Sequence, residues 1–403
     1  MIPGFLVVAL AAAATGDSLQ PRLLDDFERI TAWSAHPADG VSLTLRPGTG
    51  HVGRALRMDF GFTGGGYAIA RRALPLTLPA NYTLSFWIRG VAPANTLEFK
   101  LVDASGDNVW WYTERDRRFD GQWRKITIRK RQISFAWGPL GGGELKEAAA
   151  LEIAITAGSG GGTGSVWLDD LTLTPLPDLG PYDATPAARA TVATVGHPTA
   201  AALDSDTTTS WRAPGGSTAR YTVDFLRPHE FGGISLLWEA GRGADSYDVE
   251  LSDDRLNWRT VRSVRGGDGG RDDLDLPESE SRFLRLVVRR SGPTGAGLRE
   301  LIVRPLEFGA SRNAFFEAVA ATAAPGSYPR YYSGRRAWWT VVGVDGAPEE
   351  ALINDDGAVE AGKGLFSLEP FLLDEGKVIS WHEVRATPSL DEGRCAPRTA
   401  SAA

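Results

Sequence analysis

Apolar and polar side chains alternate in short runs through residues 22–177. In 82–89, Tyr82, Leu84, Phe86 and Ile88 form one face, and Thr83, Ser85, Trp87 and Arg89 the other. In 96–102, Leu97, Phe99 and Leu101 oppose Glu98 and Lys100. Similar runs occupy 23–28, 55–60, 109–113, 123–128, 151–156 and 166–173. A period of two with one wet face predicts antiparallel strands packed as a sandwich. The phase slips at Asp169-Asp170, which predicts a bulge. Trp110 and Trp111 are consecutive and must point to opposite faces, so one is expected inside and one outside. A Pro-rich joint over 174–181 reads as a stiff, extended linker. Residues 184–305 then resume the strand pattern at 221–225, 232–238, 247–251, 281–286 and 298–303.

Beyond 305, residues 313–321 have helical spacing, with Phe315, Phe316 and Val319 on one face. A strand over 338–344 runs into an Asp345-Gly346 turn. Two further runs, 364–373 and 377–381, bracket Asp374-Glu375-Gly376 as a hairpin. Residues 306–393 therefore read as a partial β-sandwich region, and 394–403 as a disordered tail.

Composition agrees with an all-β chain: 47 Gly and 24 Pro in 403 residues punctuate short strands, and the length suits two or three domains. Residues 2–15 are almost wholly apolar and lead into small residues, so 1–20 reads as a signal peptide even though no Lys or Arg precedes the apolar run. The expected location is secreted or periplasmic. No later segment reaches transmembrane length. The one cysteine, Cys395, allows no internal disulfide, so stability must come from core packing or bound metal. A net charge of −7 without a basic block leaves no footprint for nucleic acid.

The candidate chemistry is aromatic and acidic. Trp87, Trp110, Trp111, Tyr112 and Trp137 are more rings than a solvated sheet face needs. Beside Arg89, Glu98, Lys100 and Asp107 they suit a saccharide, whose apolar ring faces stack on Trp or Tyr while its hydroxyls find polar partners. In the stretch 202–211, Asp204 and Asp206 are spaced to meet one hard cation if the chain turns back on itself; a capped, solvated turn is the plainer reading of such a spacing. Bulged Asp169 and Asp170 can likewise turn oxygens towards a cation. Glu349, Glu350, Asp355 and Asp356 form an acidic stretch of the kind that is normally a solvated face. No Asp/Glu pair in 184–305 is placed for acid–base catalysis.

The motifs of 184–305 come in a fixed order: Leu203-Asp204-Ser205-Asp206 to Trp211, Tyr221–Phe225, Gly232-Gly233-Ile234, Tyr247 to Trp258, Ser281-Arg282-Phe283-Leu284-Arg285-Leu286, then Leu298-Arg299-Glu300-Leu301. This order resembles the discoidin domain, also called the coagulation factor 5/8 type C domain, and its relatives among bacterial carbohydrate-binding modules. The resemblance implies a jelly-roll barrel with a structural calcium. Asp204 and Asp206 would give it side-chain oxygens, Thr209 a hydroxyl or carbonyl, Glu300 a carboxylate from the last strand, and Ala201 a carbonyl. The family usually has Gly where this chain has Ser205, which puts the loop geometry in question. Ligands in this fold are read by loops at one end, where His197 and Arg242 are candidates. Trp211 and Trp238 fall in strand patterns and are expected in the core.

In 22–177, Asp25-Asp26-Phe27-Glu28 and Trp167-Leu168-Asp169-Asp170-Leu171 resemble the closing strands of jelly-roll carbohydrate-binding modules in the galactose-binding superfamily. There the resemblance implies a structural calcium near Asp26 and Asp169. The arrangement of the whole chain resembles the N-terminal half of large secreted bacterial glycosidase-like proteins. The expected protein is thus a tandem of galactose-binding-like jelly rolls: a secreted, non-catalytic carbohydrate-binding protein with calcium-steadied modules and a polysaccharide or glycan as partner. Two alternatives stand beside it: the truncated ancillary half of a glycoside hydrolase, and an adhesion module for protein or lipid.

Overall fold

The computed structural model describes residues 19–216, 218–343, 346, 350–362 and 365–384. Most of the expected signal segment, Asp345, Glu349 and the tail 394–403 lie outside the described residues. The chain divides into two compact units at Pro181/Tyr182.

The first unit is two antiparallel sheets. One contains β1 (Arg22–Asp25), β3 (Ser42–Thr49), β4 (Arg54–Gly61), β6 (Tyr82–Val91), β9 (Arg124–Arg129) and β12 (Thr163–Pro175). Its order is β3-β4-β12-β6-β9, with β1 also on β12. The other contains β2 (Trp33–Pro37), β5 (Tyr67–Thr77), β7 (Asn95–Val102), β8 (Val109–Arg117), β10 (Ser134–Trp137) and β11 (Glu147–Thr156), in the order β10-β8-β7-β11-β5-β2. The alternation read from the sequence sets the layers. Leu84, Phe86 and Ile88 of β6 and Leu97, Phe99 and Leu101 of β7 point into one shared core, where Phe86 stacks on Phe99 at 5.8 Å. The register of β12 on β6 shifts between Asp169 and Thr172, and Asp170 has φ 51°, so the expected bulge is present.

The second unit is built on a seven-stranded antiparallel sheet that curls around its own core. Its strands are β13 (Ala187–Ala190), β14 (Trp211–Ala213), β15 (Ala219–Trp238), β16 (Ala244–Ser252), β17 (Arg259–Arg265), β18 (Arg271–Ser291) and β19 (Ala296–Arg304). β15 and β18 are long enough to bend and serve both layers, with register shifts at Asp224/His229 and Phe231/Gly233 where they turn. Trp211, Tyr221, Phe225, Trp238 and Tyr247 fill the core. Each ring with a polar atom finds a partner: Trp211 Nε1 donates to the Val192 carbonyl at 2.9 Å, and Trp238 Nε1 and the Tyr247 hydroxyl both donate to Asp272 Oδ2.

After the barrel, Phe308 packs on Gly233 and against Phe315 of α1 (Arg312–Ala320), whose N-terminus is capped by Ser311. A small sheet follows, of β20 (Trp339–Val342), β21 (Ala351–Asn354), β22 (Val359–Glu360) and β23 (Ser367–Leu368). The hairpin of β24 (Leu372–Asp374) and β25 (Lys377–Ile379) turns through Glu375 and Gly376, both at positive φ. Here one expectation is corrected. The acidic stretch is not simply a solvated face: Arg330 is bracketed by Asp355 at 3.3 Å and by a nearly buried Asp356, and burial pushes nearby Glu369 up to about 7. An adjacent cation allows Asp356 to leave water.

Candidate functional site

The outer face of the first unit's second sheet collects rings and ions. Because Leu97, Phe99 and Leu101 point inward, Glu98 and Lys100 must point outward, yet Lys100 is only 4% exposed and Glu98 7%. Neighbours on the same face enclose them. Lys100 Nζ lies 2.8 Å from Glu98 Oε2, 5.2 Å from the Trp137 ring centre and 6.0 Å from that of Tyr67. The ladder sets Trp111 and Glu152 on either side of Lys100, and Arg71 lies 3.0 Å from Glu152. Trp137 meets Trp111 edge-on at 5.6 Å and remains 46% exposed, as Tyr67 is 43%. A cation held between rings and a carboxylate is a strong fixed feature. Around it two open aromatic surfaces are left for an apolar ring face, with charged hydrogen-bonding groups between them.

Not every expected ring joins this face. Trp110 is 4% exposed and belongs to the core, its Nε1 donating to the Gly143 carbonyl at 2.8 Å; Trp111 is the outer member of the pair. Tyr112, one step further along β8, pairs with Phe99 and packs against the core. Trp87 faces outward from the other sheet, stacked on His51 at 3.8 Å, so it shares no groove with Trp111. Alternation tells which face a ring takes but not which sheet carries it. Tyr67 and Arg71 were not foreseen because β5 was not; its adjacent Arg71 and Arg72 break the polar–apolar alternation.

The acidic ends of the same unit are arranged around the turn 50–54. Asp169 is fully buried and accepts from Val52 N at 3.0 Å; burial raises its pKa. Glu28 accepts from Arg54 N at 2.9 Å. Asp26 instead faces solvent and caps Glu28 N, while its neighbour Asp25 is the buried one, bonded to Phe27 N, Trp33 Nε1 and Arg72. Glu28, rather than Asp26, shares the turn with Asp169.

In the second unit, Asp204, Asp206 and Thr209 share one turn, and Glu300 lies close enough to feel the charges of Asp204 and Asp206. Thr209 Oγ1 is 3.1 Å from the Ala201 carbonyl, 3.0 Å from Asp204 Oδ2 and 3.0 Å from the Asp206 carbonyl. Asp204 Oδ1 accepts from Asp206 N, and Asp206 Oδ1 from Thr208 N and Oγ1, which holds the Asp206 carboxyl below its usual range. Glu300 is buried, and its Oε2 has no hydrogen-bond partner. Burial first, and then the charges of Asp204 and Asp206, raise its pKa against the opposing pull of the Ser205 backbone N–H. Among the described residues no three of His, Cys, Asp and Glu form a metal cluster by themselves. The donor set is mixed: carboxylates, a hydroxyl and carbonyls. That is the chemistry of a calcium site rather than of a transition-metal site, and the orphaned Glu300 oxygen fits it.

Beside this loop opens a cleft of about 430 Å³, lined by His197, Thr208, Arg212, Glu239 and Arg299 among others. Glu239 accepts from Arg212 Nε at 2.7 Å and Ser210 Oγ at 3.2 Å, and Arg212 holds its carboxyl below the usual range. His197 Nδ1 lies 3.2 Å from the Ser210 carbonyl. Arg242 does not line the cleft; its guanidinium ties to the Thr294 carbonyl and steadies the loops behind it. Arg212 and Arg299 were legible only as residues next to Trp211 and Glu300, and alternation from those buried neighbours turns both outward.

Residues 187–301 match the family model of the F5/8 type C domain. Among solved structures, the chain is similar to chitosan-binding module 2 of a Paenibacillus sp. IK-5 chitosanase/glucanase, in complex with chitotriose, at 26% identity. That match covers 31% of this chain and 99% of the other, with a TM-score of 0.29. It is also similar to a family 11 carbohydrate-binding module from Clostridium thermocellum, in complex with a β-1,3-1,4-mixed-linked tetrasaccharide, at 20% identity over 38% of this chain and 95% of the other, with a TM-score of 0.33. A Clostridium perfringens protein in complex with GalNAc-β-1,3-galactose is 19% identical over 30% of this chain and 95% of the other, with a TM-score of 0.28. Comparison with curated proteins finds no match.

Proposed function

We propose that this is an exported, non-catalytic carbohydrate-binding protein whose modules are steadied by calcium. The observation that carries the reading is the outer face around Lys100, where Trp111, Trp137 and Tyr67 stand beside Glu98, Glu152 and Arg71. Exposed rings flanked by fixed donors and acceptors suit a saccharide better than they suit a protein hot spot, which would be drier, or a lipid, which would want no ions. The cleft lined by His197, Arg212, Glu239 and Arg299 is a second, polar surface without Trp or Tyr, in the part of the chain that matches the F5/8 type C domain.

In the second unit Asp204, Asp206, Thr209, Glu300 and the Ala201 carbonyl would hold the calcium. In the first, Asp169 and Glu28 with the carbonyls of their shared turn would do so. The ion supplies charge that lets buried carboxylates ionise and so fixes the loops; it takes no part in chemistry. A glycan array followed by calorimetry, in calcium and in chelator, tests the reading. Saturable binding of an oligosaccharide, weakened in Trp137→Ala, supports it; no binding across plant and bacterial glycans sinks it.

A further inference from the structure

We infer that the second unit carries another site, separate from its loop-end cleft, for an acidic saccharide bearing carboxylate or sulfate groups. It lies on the outer face of the barrel, in a groove of about 240 Å³ lined by Arg189, Arg220, Arg255, Arg285, Trp258 and Thr222 among others. The ladder explains the convergence. Arg189 of β13 pairs with Thr222 of β15, and Thr222 with Arg285 of β18, so two guanidinium groups stand in one row across neighbouring strands. Two strand spacings set their backbones about 10 Å apart, comparable with a disaccharide. Arg220 lies two residues before Thr222 on the same face, and Arg255 enters from the loop before β17.

The charges in this groove do not cancel. Arg285 is bonded to Glu250 at 2.7 Å, and Asp224, a carboxylate in the groove's own lining, is taken by Arg282 at 3.2 Å. The Asp254 carboxylate is held by the backbone of Leu256 and Asn257 in its own turn. No ion pair reaches Arg189, Arg220 or Arg255 among the described residues, although the whole chain carries a net charge of −7. Three guanidinium groups without a carboxylate partner in one recess of an acidic protein call for an anionic ligand, and the guanidinium fork suits carboxylate and sulfate alike. The wall beside them is aromatic: Trp258 lies under Arg285 at 3.7 Å, and Phe283 under Arg255 at 5.5 Å. These stacks hold the floor rigid, and the Thr191 and Thr222 hydroxyls serve a polyol. A saccharide occupant rests on the carbohydrate-binding reading above; the anionic character rests on the arginines alone.

The test uses the full chain and calorimetry with three probes: an oligogalacturonate, a heparin-derived oligosaccharide and a neutral glucan oligosaccharide. Both anionic arms report the groove, and the stronger tells whether carboxylate or sulfate is preferred. Arg189→Gln and Arg220→Gln replace exposed side chains and leave the core intact. Each is expected to weaken the preferred acidic oligosaccharide roughly tenfold, as loss of a charge-assisted hydrogen bond does. Added salt should weaken it further, while neutral-glycan affinity stays unchanged. Unchanged acidic-oligosaccharide affinity in the double variant overturns the site. Polyaspartate or an oligonucleotide binding as tightly as the saccharide overturns its class. Arginine-dependent acidic binding without any neutral binding leaves this site standing and removes the sites at Trp137 and His197.

Discussion

Ser205 turns its backbone N–H towards the buried Glu300 carboxylate, which favours the charged form of that group, and it does so from a left-handed conformation with φ 64°. The family resemblance leads one to expect Gly here. The serine takes the left-handed conformation that glycine adopts without strain, and that turn directs its N–H at the last strand. A side chain in this region costs about 1–2 kcal/mol, whereas glycine costs about 0.4–1 kcal/mol through the unfolded chain. Ser205→Gly is therefore expected to stabilise the second unit by about 0.5 kcal/mol in urea unfolding, with calcium response intact. Ser205→Val, β-branched at the same φ, is expected to destabilise it.

Glu300 sets a pH dependence that calcium should reverse. Burial and the charges of Asp204 and Asp206 raise its pKa above the ordinary 4.5. The folded state then binds its proton more tightly than the unfolded state. The stabilisation is complete below the unfolded value and is lost as pH climbs through the folded one. In chelator, the wild-type melting temperature should fall over that window relative to Glu300→Gln, which has no proton to lose. Calcium should raise the wild-type melting point at neutral pH and leave Glu300→Gln and Asp204→Ala nearly unmoved. An equal calcium response in all three proteins would refute the assignment.

Gly53 closes a comparably constrained turn in the first unit. It sits at φ 59°, and a Cβ there would lie 1.8 Å from Glu28 Oε1. Gly53→Ala must either push Glu28 off the Arg54 N–H or distort the turn that Asp169 also holds. A loss of about 2 kcal/mol is expected in denaturant unfolding, since left-handed strain and a broken bond act together.

Sequence pattern and structure part company at identifiable places. β6 and β7 were legible because their alternation is strict: every second residue from Tyr82 to Ile88 and from Leu97 to Leu101 enters one core. β3 and β5 were not, because Pro47-Gly48 interrupts one, and Arg71-Arg72 with Pro75 interrupts the other. Arg72 turns inward only because Asp25 awaits it there, a partner 47 residues away that no local pattern reveals. The loss of β5 hid Tyr67, and with it half of the aromatic surface around Lys100. The proximity of Glu300 to the turn of Asp204 and Asp206 was legible through motif order, which carries long-range pairing that periodicity does not. A positive φ at Phe27 swings the chain between Asp26 and Glu28, so that Glu28 meets the turn at Arg54 while Asp26 faces solvent.

The tryptophans of the first unit separate binding from stability. Trp110 fills the core, so Trp110→Ala leaves a large cavity and an unpaired Gly143 carbonyl; a loss of about 3–5 kcal/mol is expected, enough to unfold the unit or nearly so. Trp137 touches Trp111 by an edge and keeps nearly half its surface in water, so Trp137→Ala should alter the melting point little. Its effect falls on the ligand: removing one stacking surface should weaken a bound oligosaccharide roughly tenfold, since such rings contribute about 1–2 kcal/mol at binding centres. Trp87→Ala changes the opposite sheet and is expected to leave that affinity alone. Calorimetry on the three variants, with thermal melts alongside, checks the set. Equal losses of affinity in Trp87→Ala and Trp137→Ala would move the binding face away from Lys100.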